Sequence, residues 1–575
     1  MWRINYRFGA AFQRLSALSR LTKVSLGVLL VIPSAFVASE VFSGSPDLRL
    51  FKLEKDKKAP IDYGYGPGKG KKPPIGDVKL TKNFKLSQGL RLLQTPTGGG
   101  GGGFFGPAFP WPIIPLHMGL LPDGRVLTYG TDEQGQQGAQ LVYDVWDPAI
   151  GTGADSHLIL ANTTQTDIFC SAASLIGEGL SGSTSLSGKM LILGGDVTIN
   201  GTRNYSDNNI DIFDPSNNAL IDAGRMQFKR WYPSITTLRN GDKLLLGGQL
   251  TPGVGAVTPE VFNPTSGWRT LSSISISDVD EWFYPRGIVG PDGAVNLLQH
   301  NGKIFRLTTS GSGSMNDTGA LMAPGRTYYP SVMMPGFTPN KVLMVRANQR
   351  AQIVDLSSYP PAVSDVDNIH HDRIWGNLTL LPDGGILATG GSSVYNETTG
   401  NVAYQSEVMN PRTGTWTVGA WASIPRLYHS ATLVLPDGSV LTAGGGAPGP
   451  VNNLNAEIYY PAYLYNYDGS GTAAPRPTIV SAPTTLQLGQ SFTMTVGAND
   501  QVGYINLVRL GYNTHAYDSE QRLIPVPYSQ SGATVTGYVD SSPEKLLPGY
   551  YMIFLFNTQG HPALAKIVSI PQSIQ

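Results

Sequence analysis

A short unit that recurs along most of the chain limits its fold more than any other feature. Each copy holds an apolar strand, a tight turn and a second apolar strand that ends on paired glycines. The clearest copy runs Tyr428-His429-Ser430-Ala431-Thr432-Leu433-Val434, then Leu435-Pro436-Asp437-Gly438, then Val440-Leu441-Thr442-Ala443-Gly444-Gly445. Pro-Asp-Gly between apolar runs is a hairpin signal, because the turn needs a residue tolerant of positive φ. Related copies are centred on Leu121-Pro122-Asp123-Gly124, Gly188-Lys189, Asn240-Gly241-Asp242, Pro291-Asp292-Gly293 and Leu381-Pro382-Asp383-Gly384, with a degenerate one at Lys341-Val342-Leu343-Met344-Val345. A second signature, a strand closing on a turn, recurs as Trp146-Asp147-Pro148, Phe213-Asp214-Pro215, Phe262-Asn263-Pro264, Met409-Asn410-Pro411 and Tyr459-Tyr460-Pro461. The two signals together count seven units between residues 112 and 465. Their spacing of about 40 to 60 residues is that of propeller blades.

The paired glycines and the four-strand logic of each unit resemble kelch repeats, so the expected fold is all-β: a seven-bladed kelch-type β-propeller over 112–470. After Tyr465 the pattern changes. Pro475-Arg476-Pro477 reads as a linker, and 476–575 alternates apolar and polar residues over several short strands. That is the size and pattern of an immunoglobulin-like β-sandwich.

The amino-terminal part differs from both. Residues 1–23 carry Arg3, Arg7, Arg14, Arg20 and Lys23 and no acid, and read as a cytoplasmic basic lead. Residues 24–42 are almost wholly apolar, the length of a transmembrane anchor, with a cleaved signal segment as the competing reading. Either places the body outside the cytoplasm: at the cell membrane as a single-pass protein, or secreted if cleaved. Residues 43–111, rich in Lys, Pro and Gly, read as a spacer. Over the whole chain the 41 basic and 41 acidic residues balance, so nothing points to a nucleic-acid partner. The single cysteine, Cys170, excludes an internal disulfide framework and leaves that thiol either as a buried small hydrophobe or as chemistry.

Aligning the units on their turns brings out candidates for chemistry. Arg-x-aromatic precedes the hairpin in Arg230-Trp231-Tyr232, Arg326-Thr327-Tyr328, Arg373-Ile374-Trp375 and Arg426-Leu427-Tyr428. Equivalent positions in a propeller share one end of the axis, so Tyr232 and Tyr428 are expected to approach one another, with Cys170 and His429 at the same end. Any one such tyrosine taken alone is equally strand filler. Among the eight histidines no spacing of the His-x-x-x-His or Cys-x-x-Cys kind supports a zinc site.

Four motifs in order resemble the copper-radical oxidases, the galactose oxidase and glyoxal oxidase superfamily: Phe169-Cys170, Trp231-Tyr232-Pro233-Ser234, Tyr428-His429-Ser430 and His515 followed by Glu520-Gln521-Arg522. The resemblance spans residues 112 to 575. It implies one copper ion held by Tyr232, His429 and His515, with Tyr428 axial, and a Cys170–Tyr232 thioether that carries a radical. It further implies oxidation of small aldehydes of the glyoxal type, or of primary alcohols, glycan-borne ones included, by O₂ to give H₂O₂. Tyr232, Cys170 and Tyr428 are then catalytic. The family's galactose-oxidising members stack a tryptophan from the segment after the next paired glycines, but here that segment reads Gly247-Gly248-Gln249-Leu250-Thr251-Pro252. Trp231 is expected to shield the ring instead. Arg373 matches the family's substrate-contacting arginine, and an ion pair that stabilises the repeat is its other reading. The alternative from another class is a catalytically silent kelch propeller that binds extracellular glycan.

Overall fold

Turn chemistry and strand burial together build the body. At Leu435-Pro436-Asp437-Gly438 the Asp437 carboxylate accepts the Ser439 N–H at 2.9 Å, and Gly438 sits at φ +88°, where a side chain would be strained. The flanking strands, Ser430–Val434 and Val440–Gly444, are buried along their whole length. The computed structural model describes residues 103–572, apart from 179–184, 200–201, 277–282, 327, 337–338 and 397–399. The basic lead, the apolar segment 24–42 and most of the expected spacer lie outside the described residues. Among the described residues no helix is long and apolar enough to cross a membrane.

The described chain is all-β, with short 3-10 turns at Ala154–Ser156 and Ala462–Leu464. Antiparallel strand sets follow one another, opening at Pro115–Leu120, Ala172–Leu175, Ser331–Met333, Asn377–Leu380, Ser430–Val434 and Arg286–Val289, while the second and third sets share the long strand Ala219–Thr237. The opening strands of neighbouring sets lie side by side. Thr236 donates its hydroxyl to the Gly287 carbonyl at 3.0 Å, and the Thr379 and Thr432 hydroxyls are 2.8 Å apart.

The last set is completed from the other end of the chain. Phe104–Phe105 and Phe109–Pro110 pair antiparallel with Asn455–Tyr460. Phe105 packs on Tyr459 with ring centres 5.1 Å apart, and Phe109 sits 6.0 Å from Trp111. Residues 104–110, assigned to the spacer from sequence, are thus part of the repeat body. Two-residue strands beside a run of glycines carry too little periodicity to be read in advance.

Residues 476–570 form two four-stranded sheets around a core that includes Met494, Ile505, Leu507, Val535, Ile553, Leu555 and Val568. Burying each such side chain contributes about 1.5–3 kcal/mol. From this sandwich a hairpin, Tyr512–Thr514 and Tyr517–Asp518, reaches into the repeat body. It pairs antiparallel with Pro115–Leu120, with Thr514 opposite His117, and parallel with Ser331–Met333, with Tyr517 opposite Ser331. Sandwich and repeat body therefore share a sheet, and His515 sits at the tip of the shared hairpin.

Candidate metal centre

The Arg-x-aromatic motif has a structural basis. Arg230 pairs with Glu260 at 2.9 Å, Arg373 with Glu407 at 2.9 Å and Arg426 with Glu457 at 3.1 Å, each guanidinium buried. The paired glycines of one set dock on the arginine of the next: Gly391 donates its N–H to the Arg426 carbonyl at 2.7 Å, and a Cβ on Gly390 would lie 2.6 Å from that oxygen. With the arginine fixed this way, the residue two positions on is held at the start of the opening strand. Five residues at this end of the body adopt left-handed backbone: φ is +56° at Cys170, +66° at Tyr232, +42° at Tyr284, +63° at Trp375 and +66° at His429. His515, on the hairpin tip, has φ +49°. Such conformations cost about 1–3 kcal/mol each, and their gathering at one place marks a site held by its surroundings.

The expected residues do converge. The Tyr232 and Tyr428 hydroxyl oxygens are 2.5 Å apart. His429 stacks on Tyr428 with ring centres 3.6 Å apart and meets His515 edge-on at 4.6 Å. Tyr232 lies 4.9 Å from the His515 ring. One ligand atom from each of Cys170, His429 and His515 falls within 4.8 Å of the others, and Cys170 Sγ is 3.8 Å from His515 Nε2. The Tyr232 N–H donates to the Cys170 carbonyl at 2.9 Å, which ties the two strand starts together. All five residues are 2 % exposed or less.

The hydrogen bonds fix how the imidazoles face. His429 Nδ1 is 2.7 Å from the Gly446 carbonyl, which only accepts, so Nδ1 carries the proton and Nε2 presents a lone pair. That Nε2 is buried and has no hydrogen-bond partner. A buried polar atom left in this state costs about 1–3 kcal/mol, unless something else occupies it. His515 Nδ1 lies 2.6 Å from the Thr514 hydroxyl, leaving its Nε2 toward the centre. Two imidazole nitrogens and two phenol oxygens around one buried point fit a tetragonal Cu(II) ion. Burial pulls His429 down to about 3, and pulls His515 well below the usual imidazole range with the His429 charge adding to it. A base whose pKa is depressed stays neutral above that value. Copper uptake is therefore expected to show no break near pH 6.5 between pH 5 and 8, with any released proton coming from phenol. Calorimetry in buffers of different ionisation enthalpy checks this, and an imidazole-like step near pH 6.5 would contradict the site.

The structure makes two expectations more specific. Trp231 does not lie flat over Tyr232; it meets that ring edge-on, at 4.5 Å and 89°. Shielding is shared, since Phe283 and Tyr284 each sit 5.2 Å from the same ring. Arg373 takes the ion-pair reading. It is fully buried, donates to the Gly390 carbonyl and to Glu407, and repeats the structural pairing of Arg230 and Arg426.

Three neighbours of the centre were not singled out from sequence. Tyr284 stacks on His515 at 4.5 Å and donates its hydroxyl to the Ser171 carbonyl at 3.0 Å. Trp375 packs 4.4 Å from Tyr428. His117, buried, stacks on Tyr129 at 4.4 Å, and its Nδ1 is 2.6 Å from the Tyr512 hydroxyl. Trp375 was visible in its Arg-x-aromatic copy, but Tyr284 follows no arginine at that spacing. His117 becomes meaningful only once the hairpin is threaded.

Comparison with known proteins agrees with this geometry. A family model for the galactose oxidase-like Early set domain matches residues 476–570. Galactose oxidase of Gibberella zeae is 27 % identical over 517 residues, covering 82 % of this chain and 71 % of the relative. An aldehyde oxidase of Vitis pseudoreticulata is 24 % identical over 391 residues, covering 59 % of this chain and 72 % of the relative. Among solved structures, a fungal alcohol oxidase of the AA5 family, in complex with copper, superposes with a TM-score of 0.72. It is 22 % identical and covers 82 % of this chain and 99 % of its own, a likeness of fold. With its four motifs in order, its threaded hairpin and its convergent tyrosines and histidines, the chain is similar over most of its length to galactose oxidase and, over a shorter span, to aldehyde oxidases.

Proposed function

We propose that this protein is an extracytoplasmic mononuclear copper-radical oxidase that converts small aldehydes, or primary alcohols, with O₂ and releases H₂O₂. The observation that carries the reading is the buried convergence of Tyr232, Tyr428, His429 and His515 beside Cys170, with His429 Nε2 unpartnered. Copper bound there supplies one-electron chemistry and an acidic position for a substrate oxygen. His429 and His515 would hold it through Nε2 together with the Tyr232 and Tyr428 oxygens, and Tyr428 would serve as the base for the substrate O–H. A Cys170–Tyr232 thioether would make the ring electron-rich enough to keep a radical, the chemistry needed to take hydrogen from a substrate carbon. The strand sets are read as seven propeller blades, and 24–42 as the segment that places the body outside the cytoplasm.

Enclosure of the centre favours small substrates, as does the aromatic wall of Tyr328, Trp375 and Tyr395, whose ring centres lie 5.0 to 6.0 Å apart. A silent glycan-binding body leaves the unpartnered imidazole and the strained backbone around it without a reason. The deciding experiment is an oxygen-electrode and peroxide assay of copper-loaded protein with glyoxal, methylglyoxal, glycolaldehyde and galactose. Peroxide formed in step with oxygen loss on at least one of them is the expected result. Absence of turnover on all four, with copper bound, would overturn the reading.

A further inference from the structure

The thioether proposed above requires Cys170 and Tyr232 to be held together before any bond joins them, and a buried polar cluster remote from the centre bears on this. Glu520 accepts the Ser174 and Thr237 hydroxyls, each at 2.8 Å, and Arg509 Nε at 2.6 Å. Lys243 Nζ donates to the same two hydroxyls, each at 2.8 Å, and to the Leu175 carbonyl at 2.6 Å. Ser174 and Thr237 are therefore each bridged between one ammonium and one carboxylate, and all five residues are buried. Burial pushes the Glu520 carboxyl up, but the Arg509 and Lys243 charges outweigh it and hold it ionised, at about 2.

The placement of these contacts in sequence matters. Ser174 lies four residues beyond Cys170, Thr237 five beyond Tyr232, and Glu520 five beyond His515. One carboxylate thus ties the strand that Cys170 opens to the strand that carries Tyr232, and both to the base of the hairpin that carries His515. Arg509 extends the tie into the sandwich, donating to the Leu547 and Pro548 carbonyls at 2.8 and 3.0 Å. At the other end the same two strands are joined by the bond from Tyr232 N–H to the Cys170 carbonyl. The two fastenings stand about 13–17 Å apart at about 3.3 Å per residue. Between them the strands have little freedom to slide, and a slip of one residue would turn each side chain to the opposite face.

We propose that Glu520, through Ser174 and Thr237, is a positioning residue that sets the Cys170–Tyr232 register and with it the rate of thioether formation. The inference rests on the copper-oxidase reading. In the step itself Cys170 loses its S–H hydrogen and Tyr232 one ring C–H hydrogen, and a C–S bond forms. The two electrons and two protons released reduce O₂ to H₂O₂.

The test uses full-length protein prepared without copper, the Ser174→Ala, Thr237→Val and double variants, Glu520→Gln, and Thr237→Ser as the conservative control. After addition of Cu(II) and air, intact mass and free-thiol labelling follow the bond, while EPR and melting temperature follow copper and fold. The expected result is a double variant that melts and binds copper like the wild type, yet loses about 2 Da at least tenfold more slowly, with Thr237→Ser restored to the wild-type rate. Ser174→Ala and Thr237→Val leave Glu520 paired with Arg509, and each single variant leaves Lys243 one of the two hydroxyls, so they remain informative where Glu520→Gln fails to fold. A folded double variant that cross-links at the wild-type rate overturns the inference alone, as does slowing that matches loss of copper. A copper-loaded wild type that never loses 2 Da overturns it together with the oxidase reading.

Discussion

Replacing Cys170 by serine is expected to leave Cu(II) binding intact while turnover falls by about three orders of magnitude, or ~4 kcal/mol on the barrier. Sulfur is not among the proposed ligands, and its 3.8 Å approach to His515 Nε2 is too long for a bond between the two side chains that matters to folding. What the substitution removes is the thioether, and with it the electron-rich ring. Wild-type protein matured with copper and O₂ is expected to be about 2 Da lighter than the apo-protein, since one hydrogen leaves each partner. Its denatured form should no longer label at Cys170, the chain's one thiol. Serine at that position should give neither the mass change nor the radical's visible absorption. Full labelling of matured, active wild-type protein would remove the radical from the account. Cys170 also stands at φ +56°, so unchanged melting of the serine variant is needed to separate chemistry from backbone strain.

The second large effect is on the metal. His429→Asn and His515→Asn should each abolish stoichiometric copper binding, a loss greater than the 10–100-fold typical of changes outside the ligand set. Asparagine is the informative choice because both positions have positive φ, which asparagine adopts more readily than alanine. It fills part of the same buried space but offers no imidazole nitrogen. Melting temperature should therefore stay within a few degrees, as expected for a change of about 1 kcal/mol in a large domain. Copper content by atomic absorption and the Cu(II) EPR spectrum are the measurements. If either variant keeps one copper per chain with an unaltered spectrum, that histidine is not a ligand. Loss of copper together with the fold would be uninformative for one variant, which is why the two sites, on separate parts of the chain, are tested independently.

Much of this centre was legible in the primary structure because a repeat converts sequence position into spatial position. Once Arg426-Leu427-Tyr428 and Arg230-Trp231-Tyr232 are recognised as equivalent, their tyrosines must share one end of the body, and they meet at 2.5 Å. The same logic accounts for the ion pair of Arg373. Equivalence says that three arginines occupy one kind of place, and that place is an ion pair with the third strand of the set rather than the mouth of a pocket. Tyr284 escaped notice because it fills the structural position without the arginine that marks it. Phe104 and Phe105 escaped because pairing with Tyr460 and Tyr459 joins residues more than 350 positions apart, and no local pattern encodes such a partner.

By itself the sequence determined the strand grammar, the turn geometry and which side chains are chemically able to hold a metal. These depend on properties local to a few residues: alternation of burial, tolerance of positive φ, and the donor atoms of Tyr, His and Cys. Only the tertiary structure decided that His515 reaches the others, because its hairpin is threaded between Pro115–Leu120 and Ser331–Met333. It also decided which nitrogen of His429 is exposed to a ligand, since that is set by the Gly446 carbonyl, 17 residues on. The buried tie of Glu520 to Ser174 and Thr237 is of the same kind. Each is a contact between distant segments whose energy comes from desolvation and hydrogen bonding in a closed interior, and that interior does not exist until the chain has folded.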